Sequence, residues 1–207
     1  MIALISVFAI FIPALMLPGP DFVAVVRSSM TGGAVSGLKT TAGVSLGLGM
    51  YATLSLLGLS AVLTEFHWLA WAIRVVGGCY LIYLGVRLLF SRADALSVSH
   101  DGGGAARNPF VFGFLVTLTN PKAIVLFASV FATAITPQTP DWVLAAMVVL
   151  VVLSAFTWYM LVSLFMSSQP VLKRFSNMQH RIERIAGACF VAIGGRILAD
   201  SRNPVTV

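Results

Sequence analysis

Three polar residues, Asp21, Asn120 and Lys122, stand inside long apolar runs of this 207-residue chain. Each lies next to proline, in Leu17-Pro18-Gly19-Pro20-Asp21-Phe22 and in Thr119-Asn120-Pro121-Lys122-Ala123. Proline removes a backbone N–H and clashes with the preceding turn, so both stretches free carbonyls from helical bonding. In hydrocarbon such breaks persist only where protein or a polar cavity replaces the lost partners. A carboxylate, an ammonium and an amide at two breaks suit the binding of a small charged solute. Lys122 offers a counter-charge to an anionic group such as a carboxylate, and Asp21 offers a site for an ammonium or a proton. The expectation is that the two breaks face each other and form a transport site.

Each residue also has a plainer use. Lys122 lies 12 residues beyond Phe110 and 13 before Ile135, about 18 Å from either end of a continuous helix, too far to snorkel. It can be neutralised by a helix carbonyl or by Asp21. Asp21 is six residues before Arg27, about 9 Å along a helix axis, close enough to an interface to serve as an ordinary helix cap. Asn120 can satisfy carbonyls freed by Pro121. Gly19, between Pro18 and Pro20, is a candidate hinge, with Pro121 marking the second break. Gly43 and Gly47 form a small-xxx-small pair suited to helix packing, within the chain or between two copies of it.

The elements that position these residues follow from composition. The chain is 58% hydrophobic and 10% charged, with a mean hydropathy of +0.96, against about 25% charged residues in soluble domains. An all-α membrane protein with a single transmembrane domain over residues 1–207 is expected. The net charge of +6 resides in short loops between apolar runs, which points to membrane topology rather than to nucleic acid. Cys79 and Cys189 both lie in apolar runs and read as packing residues, not as a disulfide or metal site. The first 17 residues lack a basic n-region and a cleavage site, so they read as the start of a retained helix.

Six spans are predicted, at about 2–26, 40–63, 68–90, 110–135, 142–166 and 185–199. The first and fourth contain the breaks. A polar turn is expected at 27–39, a cytoplasmic linker at 91–108, and a basic interfacial stretch at 173–184. The sixth run of 15 residues would reach only about 22 Å.

An internal repeat supports the sixth element. Arg74, Gly77, Gly78, Cys79, Tyr80 and Gly85 correspond in kind to Arg184, Gly187, Ala188, Cys189, Phe190 and Gly195 at an offset of 110. Pro20 and Asp21 correspond to Pro121 and Lys122 at an offset of 101. The chain reads as two three-helix copies, about 1–90 and 109–199, and an odd number of spans per copy inverts one against the other. With six spans, one side holds nine basic residues, from Arg27 and Lys39 to Arg181 and Arg184, and the other three, Arg74, Arg196 and Arg202. The first side is then cytoplasmic.

No phosphate loop, H-E-x-x-H pair, G-x-S-x-G turn or cysteine–histidine cluster occurs, so no enzyme or bound cofactor is expected. Besides a solute transporter, the pattern leaves open an ion or metal-ion transporter and a non-transporting membrane scaffold.

The chain resembles the LysE/RhtB family of amino-acid exporters. The resemblance rests on Leu17-Pro18-Gly19-Pro20-Asp21, Gly32-Gly33 with Gly37-Leu38, Gly43 to Gly47, the run from Gly77 to Gly85, and Gly113-Phe114 with Asn120-Pro121-Lys122-Ala123. It implies a multi-pass inner-membrane protein that moves amino acids or related zwitterions out of the cytoplasm, driven by proton exchange. It also implies that the Pro18–Pro20 and Asn120–Lys122 breaks belong to the functional core. Two departures stand out. The second span has Leu48 where some members carry an acid, and residues 129–133 lack a proline that relatives often have.

Overall fold

The computed structural model describes residues 2–65, 67–90, 108–134, 139–165 and 169–200. They form seven helices: α1 (Ile2–Met16), α2 (Pro20–Glu65), α3 (His67–Phe90), α4 (Pro109–Leu118), α5 (Pro121–Ala134), α6 (Asp141–Phe165) and α7 (Gln169–Asp200). No strand occurs among the described residues. The linker at 91–107 lies outside them.

The polar turn expected at 27–39 is absent as a loop. Helix runs through it, interrupted at Gly33 alone, with φ 75° and ψ 178°. Only glycine adopts that backbone freely, so one residue does what a longer loop was expected to do. Pro20–Gly58 is 39 residues of apolar helix, about 58 Å at 1.5 Å per residue, roughly twice the hydrocarbon thickness. A bend at Gly33 is therefore what makes such a length compatible with a bilayer. Among the described residues, Asp141–Phe165 is the other helix long and apolar enough to cross alone, and α4 with the first part of α5, bent by 61°, makes a third candidate.

The basic stretch also differs from expectation. It is no separate interfacial helix but part of the continuous 32-residue α7. Its Gln179 and Glu183 are buried on the same face as Ala186 and Phe190. The short sixth run is thus the second half of a helix long enough to cross.

Packing relies on glycine. A Cβ on Gly43 would collide with the Phe110 carbonyl, and one on Gly47 would lie 2.9 Å from the Thr117 side chain. From the other side, Gly113 meets the Thr40 carbonyl. Small residues let α2 and α4 touch backbone to backbone, so Gly43 and Gly47 serve contacts within the chain. The α3–α7 crossing is antiparallel and reciprocal. A Cβ on Gly85 would lie 2.7 Å from the Gly187 carbonyl, and a Cβ on Gly187 would lie 2.7 Å from the Gly85 carbonyl. Phe22, Phe127, Phe131 and Phe190 are fully buried in the core. Phe127 stacks on Phe131 at 5.6 Å and also meets Phe11 and Tyr51.

Candidate functional site

The two breaks meet at the centre of the bundle. Residues 17–19 separate α1 from α2, and residues 119–120 separate α4 from α5. Both following helices start alike. Pro20 and Pro121 take the first helical position, where a missing N–H costs nothing, and the charged residue follows. The Gly19 carbonyl accepts the Val23 N–H at 2.9 Å, and the Asn120 carbonyl accepts the Ala123 N–H at 3.0 Å.

Asp21 is 6% exposed. Its Oδ1 accepts the Thr117 hydroxyl at 3.0 Å, and its Oδ2 accepts the Asn120 amide at 3.1 Å. It sits in the first turn of α2, where the helix dipole favours an acid, but it is no simple solvent-facing cap: its partners come from the second break. The Asn120 side chain does not cover carbonyls freed by Pro121. Its Nδ2 donates to Asp21 while its Oδ1 accepts the Lys122 backbone N–H at 3.1 Å.

Lys122 stands in the first turn of α5, not at the middle of a continuous helix. A cation is disfavoured at a helix N-terminus, and the ammonium reaches away from it. Nζ donates to the Ala14 carbonyl at 3.1 Å. In a regular helix that carbonyl would accept the N–H of residue 18, but residue 18 is proline and has none. The ammonium thus fills the vacancy made by the first break, near the C-terminal end of α1 where the dipole favours it. Among the described residues, Asp21 and Lys122 form no direct ion pair within 4.0 Å, although each lies in the other's field.

The second break is closed in the same manner. Pro121 leaves the Thr117 carbonyl without its helical donor, and the Asn120 N–H takes the place at 3.1 Å. The Lys122 N–H, held by Asn120, leaves the Leu118 carbonyl free, and the Tyr51 hydroxyl donates to it at 2.6 Å.

These groups surround a cavity of about 30 Å³, bounded by Phe11, Ala14, Asp21, Asn120, Lys122 and Tyr159 among others. That is room for one water. Gly19 lies at its wall, where even a Cβ would come 3.7 Å from the Lys122 ammonium. A larger groove of about 540 Å³ runs between α1 and α6, and Leu15 lines both spaces.

Sequence reasoning reached Asp21, Asn120, Lys122 and the glycine and proline breaks, and the structure brings them together. It missed Thr117, Tyr51, Tyr159 and the Ala14 carbonyl. The proline-minus-four rule identifies Ala14 and Thr117 as orphaned carbonyls. Tyr51 and Tyr159 carry no comparable local signal, because their place depends on how distant helices dock.

A family model described as LysE type translocator matches residues 12–201. The threonine efflux protein of Salmonella typhimurium is 28% identical over 198 residues, covering 94% of this chain and 96% of that one. The threonine efflux protein of Escherichia coli K12 is 27% identical over 194 residues, covering 92% and 94%. An uncharacterized membrane protein of Haemophilus influenzae is 26% identical over 207 residues, covering 98% and 99%. No solved structure matches the chain.

Proposed function

The chain belongs to the LysE type translocator family, and on that premise we propose that it exports an amino acid or related small zwitterion across the inner membrane in exchange for protons. It is a transporter and not an enzyme. The relatives that match over nearly their whole length include threonine efflux proteins, which supports amino-acid efflux as the activity. The observation that carries the reading is the meeting of Asp21, Asn120 and Lys122 at two helix breaks around one cavity.

The substrate carboxylate binds the Lys122 ammonium, replacing the Ala14 carbonyl as its acceptor. The substrate ammonium approaches Asp21, whose oxygens line the same cavity. Gly19 leaves room beside the ammonium. A space of about 30 Å³ cannot hold an amino acid, so this conformation is closed around the site. Opening follows from release of α1. Once Lys122 lets go of Ala14, α1 pivots at Pro18-Gly19-Pro20, and Leu15 no longer separates the cavity from the groove beside α6.

Six crossings in two inverted copies fit this scheme, with α1 and the start of α2 as the first broken crossing and α4 with α5 as the fourth. The matched openings at Pro20 and Pro121 support a pseudo-twofold relation between the copies. Rocking of one copy against the other would expose the site alternately. The basic loops then face the cytoplasm.

The test is counterflow of labelled amino acids in liposomes, with and without a pH gradient. Saturable exchange of at least one amino acid, accelerated by the gradient, is expected. No flux across the whole panel would reject the reading.

A further inference from the structure

We propose that Glu183 and Gln179, on α7 and away from the helix breaks, form a second site that takes the small monovalent coupling cation, a proton or an alkali ion. Both side chains are 6% exposed. They stand one turn apart, and Gln179 Nε2 donates to Glu183 Oε1 at 2.7 Å. The other two oxygens, Gln179 Oε1 and Glu183 Oε2, are buried with no hydrogen-bond partner. Two acceptors left over on adjacent carboxyl and amide groups call for one shared positive centre. A proton on Glu183 Oε2 donates to Gln179 Oε1 and closes a doubly bonded acid–amide ring. An alkali ion is ligated by both oxygens. Either occupant also cancels the buried charge, which has no ion-pair partner among the described residues.

Among the described residues, the surrounding elements supply no such cation. Gly187 packs on Leu89, so one turn earlier Glu183 lies toward the end of α3. The cation of α3 in this region, Arg87, is exposed. On α7 itself, Arg181 and Arg184 are exposed and His180 is partly buried. The α1 helix carries no ionisable side chain. Among the described residues Glu183 has no ion pair.

Packing does not require the pair either. At the sequence offset of 110, the corresponding positions are Ile73 and Leu69, an apolar pair.

The role in coupling rests on the transport reading; occupancy by a cation does not. In liposomes, Glu183→Gln should keep amino-acid counterflow and lose gradient-driven accumulation by about tenfold or more. Imposed pH and sodium gradients in the wild type distinguish the two occupants. Full accumulation in Glu183→Gln would overturn the proposal. Independently, the melting temperature of the purified wild type should rise with acidification or with added sodium over choline, and Gln179→Leu should abolish that response. Absence of any cation response in the wild type would also overturn it. A cation response in a protein that moves no amino acid would leave this site standing and remove the transport reading.

Discussion

The Lys122 ammonium lies 3.1 Å from the Ala14 carbonyl oxygen, the acceptor that Pro18 deprives of its helical donor. One residue of the second break therefore completes the first. This ties two sequence features 101 residues apart into one unit, and it explains how a lysine persists inside an apolar bundle. Its charge is held by a helix end and by the field of Asp21 without a direct ion pair. The arrangement remains open to exchange, because a substrate carboxylate is a stronger acceptor than a peptide carbonyl.

Replacing Lys122 by Met should abolish transport and also destabilise the protein by about 1–3 kcal/mol, since the Ala14 carbonyl is left bare. Pro18→Ala restores an N–H at the right position. The double variant Pro18→Ala/Lys122→Met should therefore recover thermal stability without recovering transport. Melting curves in detergent and liposome counterflow separate the two effects. Transport by either Lys122 variant would remove the lysine from the substrate site.

Asp21 anchors the second break through Thr117 and Asn120. Asp21→Ala takes the acceptor from the Asn120 amide, while the Thr117 hydroxyl keeps the Gly113 carbonyl at 3.2 Å, and should cost about 1–3 kcal/mol. Thr117→Ser retains a hydroxyl and should be close to wild type, whereas Thr117→Val should lower both stability and substrate affinity. Binding isotherms with a transported amino acid check the second effect. Equal behaviour of the Ser and Val variants would exclude a positioning role for the hydroxyl.

The breaks and their charged residues were legible because proline and lysine violate what hydrocarbon allows, and such violations are local in sequence. The docking that joins them was not. Thr117 reads as an ordinary residue of a glycine-rich helix until Gly47 brings α2 against it. Tyr51 becomes a cap only because α2 lies beside the end of α4. The turn at 27–39 was misjudged for a related reason. Its polar residues resemble a loop, yet helical bonding survives on both sides of one glycine with a backbone that needs no loop. Glu183 was hidden by its basic neighbours, which suggested an interfacial stretch where the α3 contact buries one side of α7.

Gly33 isolates that backbone effect. Nothing lies within 4 Å of a Cβ placed there, so Gly33→Ala meets no steric obstacle. Its cost should arise from φ and ψ alone, about 1–3 kcal/mol. Gly32→Ala, in exposed helix beside it, should instead be neutral or stabilise by about 0.5–1 kcal/mol. Thermal melting of the two single variants gives the comparison. A stable, active Gly33→Ala protein would show that α2 does not need this bend.

Gly43 offers the opposite case, in which backbone conformation is ordinary and space is absent. Any side chain there would enter the Phe110 carbonyl and push α4 away from α2. Because α4 carries Thr117 and leads directly into Asn120, that displacement pulls both donors from Asp21. Gly43→Val should therefore fail to accumulate as folded protein, or fold with the site dismantled and transport lost. Gly58→Ala, where nothing lies within 4 Å, is the control and should match wild type. The Tyr51→Phe variant, which leaves α4 in place but removes the donor to Leu118, should retain folded yield and lose about 1–3 kcal/mol of stability. Size-exclusion profiles and melting curves for the three proteins distinguish displacement of α4 from loss of one hydrogen bond at its end. A monodisperse, active Gly43→Val protein would mean that α2 and α4 can separate without disturbing Asp21.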